Sequence, residues 1–289
     1  MKVALIQMNS QPDRVHNLRR ALELMSDAVA AHRPDLIVLP EHFDWSGGTP
    51  AQKLEAADSV PGGQAYTMLS RFAAEHRVWI HAGSILEKIP DSGKIYNTTV
   101  VFNETGGEVG RYRKLHLFDI TTPAGRSYGE SETVAPGSGV FVYDYMGFRI
   151  GCVICYDLRF SNLFWQLAHL GADVLVLPAA FTVETGRDHW EVLCRSRAIE
   201  FQSYFLACGQ WGPYRAAGGE TRECFGDTLV CDPWGQIIAR ANDGEAIVVA
   251  ELDPERVQKV RALIPMQAHR KPLARCGTCR ADGPVHQDI

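Results

Sequence analysis

No stretch of the 289-residue chain approaches the roughly 18 consecutive apolar residues that a membrane-spanning helix requires, so no membrane partner is expected. A basic run or basic helical stripe is also missing, and Lys plus Arg (29) fall short of Asp plus Glu (34), leaving a net charge of −5. That removes the electrostatic footprint of a nucleic-acid binder. Low-complexity bias is absent: 26 Gly, 15 Pro, 46% hydrophobic and 22% charged residues are ordinary for a globular protein. Residues 1–9 turn polar at Gln7 and have none of the three regions of a secretory leader. A cytoplasmic protein is therefore expected. Its eight cysteines should mostly be free thiols, because disulfide frameworks belong to small secreted chains with weak cores.

What is present is an alternation of strand-length apolar runs with helical periodicity. Strands are expected at residues 3–8, 35–39, 78–86, 98–102, 148–154, 173–177, 204–208 and 246–252, with a hairpin over 227–231 and 236–240. Helical patterns cover residues 15–32, 64–77, 160–170 and 188–202, with one short helix near the end. Strands buried on both faces and separated by helices indicate an α/β layered domain. No Gly/Ser/Pro-rich linker divides it, so one domain over residues 1–272 is expected, followed by a tail over 273–289. Pro34-Asp-Leu-Ile-Val-Leu-Pro-Glu41 and Ala172-Asp-Val-Leu-Val-Leu-Pro-Ala179 form a weak internal repeat, consistent with two similar halves whose strand ends meet.

In α/β sheets ligands bind beyond the carboxyl ends of the strands. Glu41 follows one such end, Cys155 another, and Lys114 closes the segment after the turn at Gly107. Taken singly, each has a bland reading as a surface carboxylate, a solvated lysine or a small core thiol. Together they suffice for amide hydrolysis through a thioester: a nucleophile, a carboxylate to take its proton and a cation for the developing oxyanion. A cysteine at a strand-to-helix corner is also expected to be favoured as thiolate by the helix amides.

Three motifs carry a resemblance. Leu39-Pro-Glu41, Tyr112-Arg-Lys-Leu-His-Leu-Phe-Asp119 and Gly151-Cys-Val-Ile-Cys-Tyr-Asp-Leu-Arg-Phe160 resemble, in order and spacing, the Glu, Lys and Cys motifs of the nitrilase superfamily of carbon–nitrogen hydrolases. The similarity runs over residues 3–272. His189-Trp-Glu-Val-Leu, Arg195-Ser-Arg-Ala-Ile-Glu200 and Cys231-Asp-Pro-Trp-Gly235 are most similar to the branch holding deaminated-glutathione amidase and omega-amidase. The resemblance implies a four-layer αββα sandwich, Cys155 as nucleophile, Glu41 as general base, Lys114 as oxyanion-stabilising cation, Glu130 as a further site glutamate and the Tyr156 backbone amide as oxyanion donor. It implies a small-molecule amide substrate, no cofactor and no metal. The branch acts on short amides carrying a carboxylate, for which Arg159, Arg187 and His189 are the candidate binding residues. A homodimer is expected through the segment 189–200, where Trp190, Val192, Leu193 and Ile199 exceed what one helix face needs for its own core. Departures from the branch pattern, at Arg159-Phe-Ser-Asn162, Thr185-Gly-Arg-Asp-His189 and Phe225-Gly-Asp-Thr228, fall outside the catalytic set and bear on substrate choice.

Several rival readings remain open. An aliphatic nitrilase or an N-carbamoyl amino acid amidohydrolase would use the same Glu-Lys-Cys set. A Cys-His hydrolase could recruit His116, two residues from Lys114. Cys152-x-x-Cys155 with Cys276-x-x-Cys279 has zinc-like spacing, but residues three apart in an extended strand face opposite ways. A non-catalytic binding scaffold would have little reason to keep all three site residues.

Overall fold

The continuous apolar runs become strands buried on both faces. The computed structural model describes residues 1–122 and 125–271. Its first sheet begins with β1 (Lys2–Gln7), β2 (Leu36–Val38), β3 (Trp79–His81), β4 (Ile85–Lys88), β5 (Ile95–Phe102) and β6 (Glu108–Arg113). A small hairpin, β7 (Asp119–Thr121) and β8 (Ser127–Gly129), then leads to β9 (Val142–Tyr145), β10 (Phe148–Cys152), β11 (Val174–Ala179) and β12 (Tyr204–Gly209) of the second sheet. A second hairpin, β13 (Trp211–Arg215) and β14 (Thr221–Phe225), precedes β15 (Leu229–Cys231) and β16 (Ile237–Arg240) at the edge of the second sheet. The last strand, β17 (Ala246–Glu251), returns to pair antiparallel with β1.

Side-chain alternation along β1 places the layers. Val3 and Leu5 join a core shared with Ile150, Val174 and Val176 of the second sheet, so the two sheets pack face to face. Ala4 and Ile6 point the other way, onto α1 (Arg14–His32) and, beyond α2 (Pro50–Ala56), onto α3 (Gln64–His76). On the far side α4 (Ser161–His169) and α5 (Val183–Phe201) cover the second sheet through Phe164, Leu167, Trp190 and Ala198. This is the αββα sandwich, with α6 (Pro254–Leu263) and α7 (Met266–His269) after the last strand. Each large aliphatic or aromatic side chain removed from water in these layers contributes about 1.5–3 kcal/mol. Sequence dictates the ends of α1: the Asp13 side chain accepts from the His16 N–H at 3.0 Å, and Arg33 closes the helix in the left-handed conformation.

Several elements depart from the sequence reading: β6, the β7–β8 hairpin, β9 and the β13–β14 hairpin were not expected, and others differ in extent. The single strand expected over 78–86 is two strands, because Gly83 sits at φ +54° and a Cβ there would lie 2.1 Å from the Pro40 carbonyl oxygen. The break accepts the chain after β2: the His42 N–H donates to Ser84 Oγ at 2.9 Å. Helix α2 was not expected, although its start is encoded by a Thr49/Gln52 capping box and Pro50. Helix α5 begins at Val183, capped by Thr182, earlier than the 188 expected. Trp190, counted above toward an apolar surplus, is fully buried and donates its indole N–H to the Asp227 carbonyl at 2.7 Å. The expected tail over 273–289, with Cys276 and Cys279, lies outside the described residues.

Candidate active site

The parallel strands β2, β10 and β11 all end toward one cavity of about 430 Å³. Glu41 enters it just past β2, at a corner where the next residue, His42, takes φ +58°. Lys114 follows β6 directly and extends its pairing with β5, donating its backbone N–H to the Asn97 carbonyl at 2.9 Å. Cys155 opens a short 3-10 turn, Cys155–Arg159, and itself takes φ +47°. A left-handed conformation at a non-glycine residue is costly and persists only where the surroundings enforce it. Buried Asp157 does the enforcing. It accepts from the Ile154 N–H (2.9 Å), the Tyr112 hydroxyl (2.7 Å) and the His116 N–H (3.0 Å), tying the cysteine corner to the lysine segment. His116, whose ring also lies 2.7 Å from Asp157 and stacks on Phe160, belongs to this brace and does not line the cavity.

The charged groups form one buried chain. Lys114 Nζ donates to Glu41 Oε1 at 3.0 Å and to Glu130 Oε2 at 2.8 Å, and all three side chains are nearly inaccessible. Asn97 donates to the same Glu41 oxygen at 2.9 Å and to Glu130 Oε1 at 3.3 Å. The Ala180 N–H, at the end of β11, donates to Glu41 Oε2 at 2.9 Å and also faces the Cys155 sulfur. Burial alone would lower the Lys114 pKa, but Glu130 and Glu41 raise it well above the ordinary lysine value. Burial likewise opposes ionisation of the two acids, yet the lysine holds Glu41 below its ordinary value and Glu130 at about 2. His42, pushed down to about 4 chiefly by burial, stays neutral at pH 7.

Cys155 behaves differently from the sequence expectation. Burial and the neighbouring Glu41 carboxylate push its thiol well above the ordinary value, and the Lys114 cation only partly opposes them. The resting group is a thiol beside a carboxylate, rather than a thiolate beside helix amides. A thiol so placed becomes a nucleophile only with a base beside it, and Glu41 is the carboxylate that lies there.

Glu41, Lys114, Glu130, Cys155 and Tyr156 all line the cavity, so five of the eight residues singled out from the sequence come together. Arg159, Arg187 and His189 do not. Arg159 turns away to His189 Nδ1 at 3.2 Å and lies over the Phe181 ring, while Arg187 and His189 are exposed on α5. The wall instead holds Lys53 from α2, Arg222 and Tyr214 from the second hairpin, and Trp45 and Phe118. Lys53, Tyr214 and Arg222 escape a reading of the sequence because each reaches the cavity from an element whose placement depends on long-range packing. Glu41, His42 and Glu130 bring possible ligand atoms within 4.8 Å of one another, but the Lys114 ammonium already occupies the face the two carboxylates share.

The carbon-nitrogen hydrolase family model matches residues 2–262. The chain belongs to the carbon-nitrogen hydrolase family. This hydrolase is 39% identical over 271 residues to the deaminated glutathione amidase of Synechocystis, covering 92% of this chain and 97% of the relative. It is 37% identical to an omega-amidase of Saccharomyces cerevisiae, over 94% of this chain and 93% of the relative. Among solved structures, the hydrolase resembles S. cerevisiae Nit3, a member of branch 10 of the nitrilase superfamily, with a TM-score of 0.81 at 35% identity over 92% of this chain and 94% of that one. The C. elegans NitFhit protein gives a TM-score of 0.85 at 32% identity, over 93% of this chain and 65% of that one. The protein is thus an enzyme acting on carbon–nitrogen bonds other than peptide bonds. Among the described residues no helix is long and apolar enough to cross a membrane, and the six described cysteines are free.

Proposed function

We propose that this hydrolase cleaves a small carboxylate-bearing amide through a thioester on Cys155. The observation that carries the reading is the convergence on one cavity of the Cys155 thiol, the neighbouring Glu41 carboxylate and the Lys114 ammonium, which is bonded to both Glu41 and Glu130. As the sulfur attacks the amide carbon, Glu41 takes the thiol proton and the carbonyl oxygen becomes an oxyanion beside the Lys114 ammonium and the Tyr156 N–H. Collapse breaks the carbon–nitrogen bond, Glu41 returns the proton to the leaving nitrogen, and ammonia departs. Glu41 then deprotonates water, which attacks the thioester; the acid product leaves and the thiol is restored. Glu130 holds Lys114 charged and in place. No metal or organic cofactor enters these steps, and the free thiols accord with a reducing compartment such as the cytoplasm.

The names of the relatives support an amide carrying a carboxylate. The test is kcat/KM across α-ketoglutaramate, deaminated glutathione, neutral aliphatic amides, N-carbamoyl amino acids and nitriles. A carboxylate-bearing amide is expected to lead. A neutral amide, a nitrile or a carbamoyl compound in first place would overturn the substrate reading.

We also propose that two copies pair across the outer face of α5. Val192 and Ile199 remain 65% and 48% exposed there, and Trp234, 45% exposed, adjoins Gly235, which packs on Ile199. Neighbouring exposed apolar side chains of this size mark an association surface. Light scattering at micromolar concentration should return twice the 32.0 kDa chain mass, with Val192→Glu and Ile199→Asp together restoring the single-chain value. A single-chain mass for the unaltered protein would refute the pairing.

A further inference from the structure

The charges around the cavity are unequally committed. Lys114 is shared between two carboxylates. Arg222 donates to Glu220 at 2.6 Å and lies over the Tyr128 ring at 4.6 Å, so its charge is already matched by an anion. Arg159 and Arg187 are outside the wall. Lys53 is different. Its stem rises from α2, a helix fixed at its start by the Thr49 cap and by the Lys53 N–H bond to the Thr49 carbonyl at 2.9 Å. Among the described residues no carboxylate pairs with its ammonium, although the charge is felt by Glu130, Glu41 and His42 on the catalytic side of the cavity. A half-buried cation without a counterion is an unfavourable arrangement for the free protein and a favourable one once an anion docks.

We propose that Lys53 binds the carboxylate at the far end of the substrate's acyl chain, so that this cavity selects ω-amides of short dicarboxylic acids. The inference rests on the amidase reading above and deepens it by naming the residue that reads the substrate. The amide carbon sits at Cys155 and the carboxylate reaches across to the α2 wall, with a short aliphatic spacer between them against Trp45 and Phe118. A carboxylate beside Lys53 also offsets the burial that lowers this amine's pKa.

The test compares glutaramate with valeramide, which replaces the carboxylate by a methyl group at the same chain length. Lys53→Met keeps the stem and removes the charge. It should lower kcat/KM for glutaramate roughly 10- to 100-fold, mostly through KM, and move valeramide by no more than about threefold. Lys53→Arg should recover most of the glutaramate activity. Equal losses on both substrates would mean that Lys53 acts only through Glu130, and no loss on either would mean that it does not touch substrate; both results overturn the proposal. Binding gives a second readout: glutarate should protect Cys155 from iodoacetamide, followed by the mass of the Cys155 peptide, and Lys53→Met should raise the half-protecting concentration at least about tenfold. Protection that is equal in the two proteins, or missing in the unaltered one, refutes the assignment. If the unaltered enzyme prefers valeramide, the carboxylate reading itself has failed, whatever Lys53→Met does.

Discussion

Cys155→Ala is expected to abolish turnover, lowering kcat by at least about 1000-fold, while leaving the thermal midpoint near that of the unaltered enzyme. The size follows from the division of labour in the cavity. Lys114 and the backbone amides can polarise a carbonyl, but Cys155 is the thiol lining the cavity beside Glu41. The small stability change follows from the site as well. Removing the sulfur deletes one polarisable atom beside a cavity, and the Asp157 brace that holds the corner stays intact. Alanine also fits the left-handed conformation at position 155 no worse than cysteine does. Ammonia release and differential scanning calorimetry on the same preparation separate the two effects. Turnover within about tenfold of the unaltered enzyme would remove Cys155 from the chemistry.

Lys114→Met should be the most damaging change to the site as a structure. It leaves Glu41 and Glu130 facing each other in a nearly dry pocket with no cation between them. Breaking a buried ion pair by removing one partner typically costs about 3–5 kcal/mol, and urea unfolding should report a loss of that order. Activity should fall by at least about 100-fold, since the oxyanion loses its cation and the remaining acids take up a proton that Glu41 must lack to act as base. The pH dependence carries the sign. Glu130 is held at about 2 against an ordinary 4.5, so its contribution is fully present above pH 4.5 and disappears as pH falls toward 2. The unaltered enzyme should lose this stability across that window. Lys114→Met, lacking the contribution at neutral pH, should show a flatter acid limb. Equal urea midpoints for the two proteins at pH 7 would contradict the buried ion cluster.

The layers were legible wherever burial on both faces wrote a continuous apolar run. β1, β2, β11 and β12 carry their position in the sheet within their own residues, and so do the helices that cover them. Glu41 and Cys155 were legible for the same reason, because each follows such a run by only a few residues. Lys114 was placed near a turn, whereas the half-exposed β6, whose side chains give no clean alternation, delivers it as the first residue beyond a strand. The split between β3 and β4 was hidden because a glycine's close approach to Pro40 is a contact across the sheet, not a local preference. The same limit explains the pocket wall. Arg159 and Arg187 lie close in sequence to Cys155 or to motif residues, yet Arg159 turns from the end of the 3-10 turn toward His189 and the register of α5 leaves Arg187 exposed, while Lys53 and Arg222 reach the cavity from α2 and β14. Asn97 is the clearest omission. A lone Asn inside an apolar strand is the residue that bridges both acids, and its signal was polarity at a fully buried position of β5.

A thioester on Cys155 is tested most directly by the mass of the enzyme itself during turnover. The full chain is mixed with a slowly hydrolysed amide, quenched in acid within the first turnovers and digested. One acyl group, added with loss of ammonia, is expected on the peptide that contains Cys155, and none on the same peptide of Cys155→Ala. An acyl group on any other residue, or steady ammonia release with no acyl-enzyme on Cys155 under conditions where deacylation is slow, would contradict the thioester mechanism.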